Sequence, residues 1–365
     1  MPSALARLEL TDFRNYRRLE WDLRAGVTVL AGGNGAGKTS LLEAVHYLAL
    51  LRSFRTRNLQ ELRRLDSSGF VLKACLPAGA QIRSLQVSQL QERSLQADGV
   101  PLNRASDFIN GFWAVAFIPE DIGLVKGPGS DRRRFLDILG SQLATGYLRI
   151  LGEYHEVLRQ RNALLRQHAR FGDHALAAFD QRLAVLGGAV IHHRLIVMEE
   201  LRPELEAAGH GFFGDALLTA RYQAGTGPEP GTPEALAARL LELLEKHRER
   251  DLRDGVTQAG PHRDDLPLML DGRLLSAYGS EGQCRAAALA LRLASYRVLS
   301  KHVGPHQGLI LLIDDVLGEL DTIRRRAFLS ELRDCPQALL TVTDPAEYAA
   351  WAGGQVVTVR SGVLN

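Results

Sequence analysis

The stretch Val27-Thr28-Val29-Leu30-Ala31-Gly32-Gly33-Asn34-Gly35-Ala36-Gly37-Lys38-Thr39-Ser40 decides how this chain folds. Val27 to Ala31 is a short β-branched, apolar run, which predicts a buried strand. It breaks into glycines and resumes with Leu41, Leu42, Ala44, Val45 and Leu48, a helical spacing. Strand, Gly-x-x-x-x-Gly-Lys-Thr and helix together make a phosphate-binding loop in the context it requires. Glycines let successive backbone N–H groups point at phosphate oxygens, and the helix N-terminus adds its positive dipole end. Gly32, Gly33, Asn34, Gly35, Ala36, Gly37, Lys38, Thr39 and Ser40 are therefore the expected nucleotide contacts. In such a loop Lys38 reaches the β- and γ-phosphates, and the Thr39 hydroxyl ligates Mg²⁺.

Working outward, the 365 residues suffice for a large core and suggest two structural units. The formal net charge of +2 is too small to argue for nucleic acid by itself. Cations are nearly all arginine, the lysines being Lys38, Lys73, Lys126, Lys246 and Lys301. Cys75, Cys284 and Cys335 lack C-x-x-C spacing, which argues against a zinc site or a disulfide scaffold. No signal peptide and no apolar run of about 18 residues is present, so a cytoplasmic protein with no membrane span is expected.

Upstream of the loop, Leu8 to Phe13 alternates like a strand, and Asn15 to Arg18 turns it toward a second one over Leu19 to Leu23. Downstream comes an arginine-rich segment with Arg52, Arg55, Arg57, Arg63 and Arg64. Phe70 to Leu76 and Ile82 to Leu90 read as antiparallel strands, Asp98-Gly99 as a turn, and Trp113 to Ile118 as a buried strand. From Ser130 the texture is helical. Leu151, Tyr154, Leu158 and Leu165 keep one stripe, and Leu176, Phe179, Leu183, Leu186, Val190 and Val197 keep another with His193 as a packed seam residue. A turn around Phe171-Gly172-Asp173 would make these two helices a hairpin, with Gly187-Gly188 weakening the second. Gly225 to Pro233 is a connector, after which Thr232-Pro233-Glu234 starts a helix ending in a mixed-charge run, Glu245 to Asp254, read as a solvated face. The α/β texture then returns. The expected fold is therefore α/β: one nucleotide-binding head built from 1–129 and 255–365, with an antiparallel β subdomain, interrupted by a helical arm at 130–254.

Leu309 to Ile313 is a continuous apolar strand ending in Asp314 and Asp315. Such strands are buried in parallel sheets, and acids at their carboxyl ends sit where ligands bind. Asp314 would hold Mg²⁺ or its water, and Asp315 would polarise the attacking water. In Gly279-Ser280-Glu281-Gly282-Gln283, Ser280 and Gln283 have capping-box spacing ahead of Leu289, Leu293 and Tyr296. A Ser-capped helix N-terminus is an anion site, here offered to a nucleotide held by a second copy of the chain through Ser280, Gly282 and Gln283. A phosphate loop, a Ser-x-Gly-Gln helix and an Asp-Asp strand, in that order, resemble the ABC-type ATPase head. Gly318-Glu319-Leu320-Asp321 matches that class's D-loop.

The chain resembles the bacterial RecF family closely. The matches are Asp12-Phe13-Arg14-Asn15-Tyr16, then Pro119-Glu120-Asp121 with Leu124-Val125-Lys126-Gly127, and Arg132-Arg133-Arg134-Phe135-Leu136-Asp137. Gln160-Arg161-Asn162 and Gly260-Pro261-His262-Arg263-Asp264-Asp265 follow, and the Ser-x-Gly-Gln and Asp-Asp elements complete the set in family order. The resemblance implies ATP and Mg²⁺ as cofactors, Arg14 among the nucleotide contacts, and an ATP-dependent homodimer on double-stranded, gapped DNA. It also implies slow, DNA-stimulated ATP hydrolysis in recombinational repair, and RecR and RecO as partners in recombinase loading. It requires a phosphate-facing surface on the head, for which Arg52, Arg55, Arg57, Arg63 and Arg64 are the candidates.

Three positions depart from pattern. Glu281 stands where Gln is expected, Thr343-Asp344 where many ABC proteins carry a switch His, and Asp315 where faster ATPases carry Glu. The last two favour a slow hydrolase used as a timer. The alternatives are the ATP-binding subunit of a transporter, which would leave the helical insert unexplained, and a non-hydrolysing nucleotide-gated scaffold.

Overall fold

The computed structural model describes residues 3–109, 111–166, 168–227, 231–304, 306–332, 335–344 and 355–365. Strand β1 (Arg7–Phe13) turns into β2 (Tyr16–Asp22), and β3 (Gly26–Ala31) leads through the glycine loop into α1 (Lys38–Leu50). Strands β4 (Phe70–Cys75), β5 (Ser84–Gln89), β6 (Arg93–Ala97) and β7 (Val100–Leu102) follow, then α2 (Ala105–Ile109) and β8 (Trp113–Phe117). Helices α3 (Gly123–Lys126), α4 (Gly129–Leu143), α5 (Tyr147–Arg166) and α6 (His168–Phe213) come next. The chain continues with β9 (Leu218–Ala220), α7 (Pro233–Lys246), α8 (Arg248–Asp254), β10 (Leu268–Leu270), β11 (Arg273–Leu274), α9 (Leu275–Tyr278) and α10 (Glu281–His302). It closes with β12 (Leu309–Asp314), α11 (Thr322–Glu331), β13 (Gln337–Val342), β14 (Val356–Arg360) and β15 (Val363–Leu364).

Two compact units emerge, 1–121 with 295–365, and 122–294. Composition drew the boundaries at 129/130 and 254/255 instead. The difference arises because residues 255–294 pack with the helices that precede them, and the second boundary falls inside α10.

Among the described residues, the first unit holds two six-stranded sheets. One is largely parallel in the order β15-β14-β3-β13-β12-β8, with β15 antiparallel to β14. Every residue of β12 and β13 is buried, as expected of strands covered on both faces. The other sheet is antiparallel, in the order β2-β1-β4-β5-β6-β7. Helix α1 packs against β8 and β12 of the parallel sheet and β4 of the antiparallel one. It is buried on all sides, only Thr39 among its residues escaping burial, and it carries the polar Lys38, Ser40, Glu43 and His46 inside with it. Gln337 ties the first residues down: its side chain accepts from the Ala4 and Leu5 N–H groups, both at 2.9 Å, and donates to the Leu5 and Arg24 carbonyls.

The second unit carries the helical arm and a three-stranded sheet, β11-β10-β9. The α5 stripe is buried as its spacing predicts, from Leu151 through Tyr154 and Leu158 to Leu165. The hairpin turn expected at Phe171-Gly172-Asp173 is not there. Those residues lie inside α6, whose helical backbone is described from His168 and runs 46 residues, through Pro203. Local turn formers are here overridden by a helix fixed through its packing. Gly187-Gly188 serves contact: a Cβ on Gly188 would sit 2.5 Å from the Pro233 carbonyl oxygen and 2.7 Å from the Ala237 nitrogen, so glycine lets the start of α7 approach α6. That start is built as the sequence predicts, the Thr232 hydroxyl accepting from the Ala235 N–H at 3.3 Å. Residues 228–230 of the preceding connector lie outside the described residues.

The mixed-charge run is not wholly solvated. Asp251 is fully buried and takes a hydrogen bond of 2.7 Å from Arg161, itself fully buried. Arg161 also donates to Asp180 at 2.6 Å and Thr257 at 2.8 Å, and Asn162 receives the Thr257 backbone and hydroxyl donors. Gln160-Arg161-Asn162 is thus a core staple. The segments Arg132 to Asp137 and Gly260 to Asp265 interlock in the same way. Arg132 grips Asp265 through two bonds of 2.7 and 2.8 Å, Arg133 donates to the Asp264 carbonyl, and Arg194 clamps Asp137 and the Pro261 carbonyl.

Candidate nucleotide site

The glycine loop takes its shape from backbone demands that side chains would violate. Gly37 caps α1 with φ 112°, and a Cβ there would meet the Asn15 amide at 2.5 Å and the Tyr16 hydroxyl at 2.7 Å. These two residues, from the turn between β1 and β2, brace the loop: Asn15 donates to the Ala36 carbonyl at 3.3 Å and Tyr16 to the Gly37 carbonyl at 3.0 Å. From the C-terminal hairpin, Gly362 N–H adds a bond to Ala36 O. A second contact fixes Gly32, where a Cβ would lie 2.3 Å from the Val359 carbonyl oxygen.

An open cleft of about 630 Å³ lies over this loop, within the range of roughly 300–1,000 Å³ usual for small-molecule sites. Asn34, Gly35, Ala36, Gly37, Lys38, Thr39 and Ser40 line it together with Asp314 and Asp315. Gly32 and Gly33 contribute differently, their carbonyls accepting from the Lys38 ammonium at 2.6 and 3.0 Å. Burial lowers the Lys38 pKa, opposed by the charges of Asp315 and Asp314.

Thr39 and Asp314 meet at 2.9 Å, the hydroxyl donating to Oδ1. Burial, chiefly, raises the Asp314 pKa; the Thr341 and Thr39 hydroxyls oppose it, and the charges of Asp315 and Glu120 add to it. A hard hydroxyl and a hard carboxylate, with two further acids nearby, fit a cation of the Mg²⁺ type. Among the described residues no cluster of three His, Cys, Asp or Glu side chains could hold a metal. One carboxylate, one hydroxyl and substrate phosphates are the usual Mg²⁺ arrangement instead.

Asp315 follows the strand with φ 50°, a left-handed conformation that costs a non-glycine residue about 1 kcal/mol. Its N–H donates to the Thr341 hydroxyl at 3.0 Å, and that hydroxyl donates to Asp314 Oδ1 at 2.8 Å. Sequence reasoning missed Thr341. The available signal was its place on the apolar strand neighbouring the Asp-Asp strand.

Arg14 lines the cleft, but most of its donors are engaged elsewhere. It makes a two-pronged bond to the fully buried Glu43, at 2.7 and 2.6 Å, and donates to the Glu61 carbonyl at 2.6 Å. Three of its five N–H groups are thus used, and two remain for a ligand. Glu43 also receives the Ser53 hydroxyl and pairs with Arg55 at 3.7 Å. It is therefore the anchor between α1 and the arginine-rich segment.

That segment is split by the structure. Residues 62–64 pair with the end of β1, through Arg14 N–H to Leu62 O and Arg64 N–H to Asp12 O. This places Arg63 and Arg64, with exposed Leu65, on the lining of the nucleotide cleft, where Arg55, paired with Glu43, joins them. Arg52 and Arg57 are exposed and outside that lining.

Ser280, Gly282 and Gln283 belong to the second unit and do not line the cleft. Ser280 and Gln283 form the reciprocal capping box: Ser280 N–H donates to Gln283 Oε1 at 2.9 Å, and Gln283 N–H to Ser280 Oγ at 3.2 Å. Glu281 turns to Arg285 at 2.8 Å, which with Lys126 holds its carboxyl below the usual range.

Comparison with known proteins agrees with this geometry. The family model described as the RecF/RecN/SMC N terminal domain matches residues 4–348. A DNA replication and repair protein RecF of Chloroflexus aurantiacus is 40% identical, covering 94% of both chains. One from Kineococcus radiotolerans is 35% identical, covering 96% of this chain and 95% of its own. Among solved structures, the recombination mediator protein RecF-ATPrS in the RecFOR pathway superposes with a TM-score of 0.89 at 28% identity, over 100% of this chain and 98% of that one. A similarity to an Smc head bound to the C-winged helix domain of ScpA, TM-score 0.55 at 12% identity over 99% and 96%, shows the fold alone. The chain belongs to the RecF family of DNA replication and repair proteins, built on the ABC-type ATPase head.

Proposed function

We propose that this chain is an ATP-dependent DNA-binding protein that dimerises on ATP, engages duplex DNA at gaps or stalled replication sites, and hydrolyses ATP slowly. The observation that carries the reading is the meeting of Lys38, Thr39, Asp314 and Asp315 in one cleft of one unit. Lys38 exchanges the loop carbonyls for β- and γ-phosphate oxygens, and the loop N–H groups and α1 N-terminus take the remaining charge. Thr39 and Asp314 would hold Mg²⁺, which when bound would offset phosphate charge. Asp315 faces the water that attacks the γ-phosphorus and receives its proton as the bond to ADP breaks.

Ser280, Gly282 and Gln283 act in trans, on the nucleotide of a second copy, so ATP completes a head-to-head dimer. Exposed Arg52 and Arg57 supply backbone contacts to duplex DNA, while Arg55, Arg63 and Arg64 serve the nucleotide side of the same segment. The RecFOR context of the structural relatives supports RecR and RecO as partners in recombinase loading. The proposed place of work is the cytoplasm; among the described residues no helix is long and apolar enough to cross a membrane. The transporter reading falls with the family assignment.

The test is ATP turnover with and without duplex DNA, in the native chain and in Lys38→Met. DNA-stimulated turnover that Lys38→Met abolishes is expected. Turnover surviving in Lys38→Met would move the site elsewhere, and ATP binding without turnover in the native chain would favour a nucleotide-gated scaffold.

A further inference from the structure

Thr341 is hydrogen-bonded to both acids of the cleft. Strand β13 lies parallel to β12 with Thr341 opposite Asp314 in the register. A hydroxyl has one proton and two lone pairs. Asp315 N–H lies 3.0 Å from Thr341 Oγ1, so the oxygen accepts there, and its own proton is directed to Asp314 Oδ1 at 2.8 Å. Thr341 is 2% exposed, so little solvent competes for either bond. The same oxygen therefore fixes the direction of one carboxylate and the peptide that carries the other. That peptide is the left-handed one, with Asp315 at φ 50°, which aims the side chain into the cleft instead of continuing the strand.

We infer that Thr341 is a positioning residue for ATP hydrolysis: its hydroxyl holds Asp314 in the orientation that meets Thr39 and pins Asp315 against the cleft. Order at the acids thus comes from the neighbouring strand. The inference rests on reading the cleft as the ATPase site.

Thr341→Val keeps the branched shape and removes both bonds, and Thr341→Ser keeps the hydroxyl. The expected result is a fall in kcat of about tenfold or more for Val, the loss of roughly one well-placed hydrogen bond. KM for ATP stays within about twofold, and Ser recovers most of the native rate. A second measurement is independent of turnover: fluorescence titration of ATP in EDTA and in Mg²⁺. Affinity in EDTA is the same in all three chains, while the gain that Mg²⁺ confers drops severalfold in Val and is kept in Ser. Thr341→Ala repeats the comparison if the Val chain melts early. Native kcat and native Mg²⁺ gain in the Val chain, or equal losses in Val and Ser, would overturn the inference. A native chain that gains affinity with Mg²⁺ yet never turns over would overturn the proposed function, leaving the Mg²⁺ titration to decide the role of Thr341.

Discussion

Glu43 is fully buried on α1 and holds the Arg14 guanidinium through bonds of 2.7 and 2.6 Å. Arg14 in turn donates to the Glu61 carbonyl, so the pair fastens the segment around Arg63 and Arg64 to the helix that starts at Lys38. The nucleotide cleft therefore has a wall held by one buried charge. Breaking a buried pair from one side strands the other charge, at a cost of about 3 kcal/mol or more.

Glu43→Ala is expected to lower the melting temperature and to weaken ATP binding together, with Glu43→Gln intermediate. Thermal melts and nucleotide titration check this. Native ATP affinity in a folded Glu43→Ala chain would detach the wall from binding.

Arg161 sits between Asp180 and Asp251 with no exposure on any of the three beyond 1%. Arg161→Met leaves buried Asp251 without its cation and Asp180 with Arg248 alone, and a loss of about 3 kcal/mol or more is expected. Urea denaturation of the full chain reads it. A loss below about 1 kcal/mol would mean the network relaxes into water.

His262 gives the second unit an acid sensitivity. Its Nε2 faces the Thr257 carbonyl at 3.1 Å, so with a proton there Nδ1 accepts from the Tyr154 hydroxyl at 2.6 Å. Burial, chiefly, pushes its pKa down from 6.5 to about 4, with Arg263, His155 and Arg133 adding to the effect and the Thr257 carbonyl opposing it. Between those values the unfolded chain binds a proton that the folded chain refuses, so stability is lost as pH falls from about 6.5 to about 4. The loss amounts to about 3 kcal/mol at most, partly offset by Asp264, whose pKa burial raises. Denaturation series from pH 7 to 4.5 should show a shallower slope in His262→Gln. An equal slope in the two chains would place the acid sensitivity elsewhere.

The arginine segment is expected to divide by function. Replacing Arg52 and Arg57 with Ala should flatten the slope of log duplex affinity against log salt by about one unit per lost phosphate contact, leaving ATP affinity unchanged. Replacing Arg63 and Arg64 should weaken ATP binding and leave that slope alone. Fluorescence anisotropy at several salt concentrations separates the two. A slope unchanged by Arg52→Ala and Arg57→Ala would move the DNA surface off this segment.

Short-range patterns are legible in the sequence, and contacts between distant residues are not. The glycine loop, the Asp-Asp strand and the Ser280–Gln283 cap are local patterns, and each stands where its spacing put it. The arginines were legible as a cluster but not as two groups. Their division depends on residues 62–64 pairing with β1, a contact some 50 positions away in the chain. Asp251 read as solvated because its partner Arg161 lies 90 residues earlier. Turn formers at Gly172-Asp173 read as a break and the pair Gly187-Gly188 as a weak point, yet α6 runs through both, because packing against α5 and α7 outweighs a local propensity of about 1 kcal/mol per glycine.

On the proposed function, ATP in the Lys38 cleft joins two copies through the Ser280 helix. Sedimentation velocity of the native chain and Ser280→Arg, each with and without ATP and duplex DNA, tests it most directly. The native chain should sediment as a monomer alone and as a dimer with ATP, further shifted by duplex. Ser280→Arg should bind ATP and remain a monomer. An ATP-induced dimer in Ser280→Arg, or a native chain whose sedimentation ATP does not change, would contradict the account.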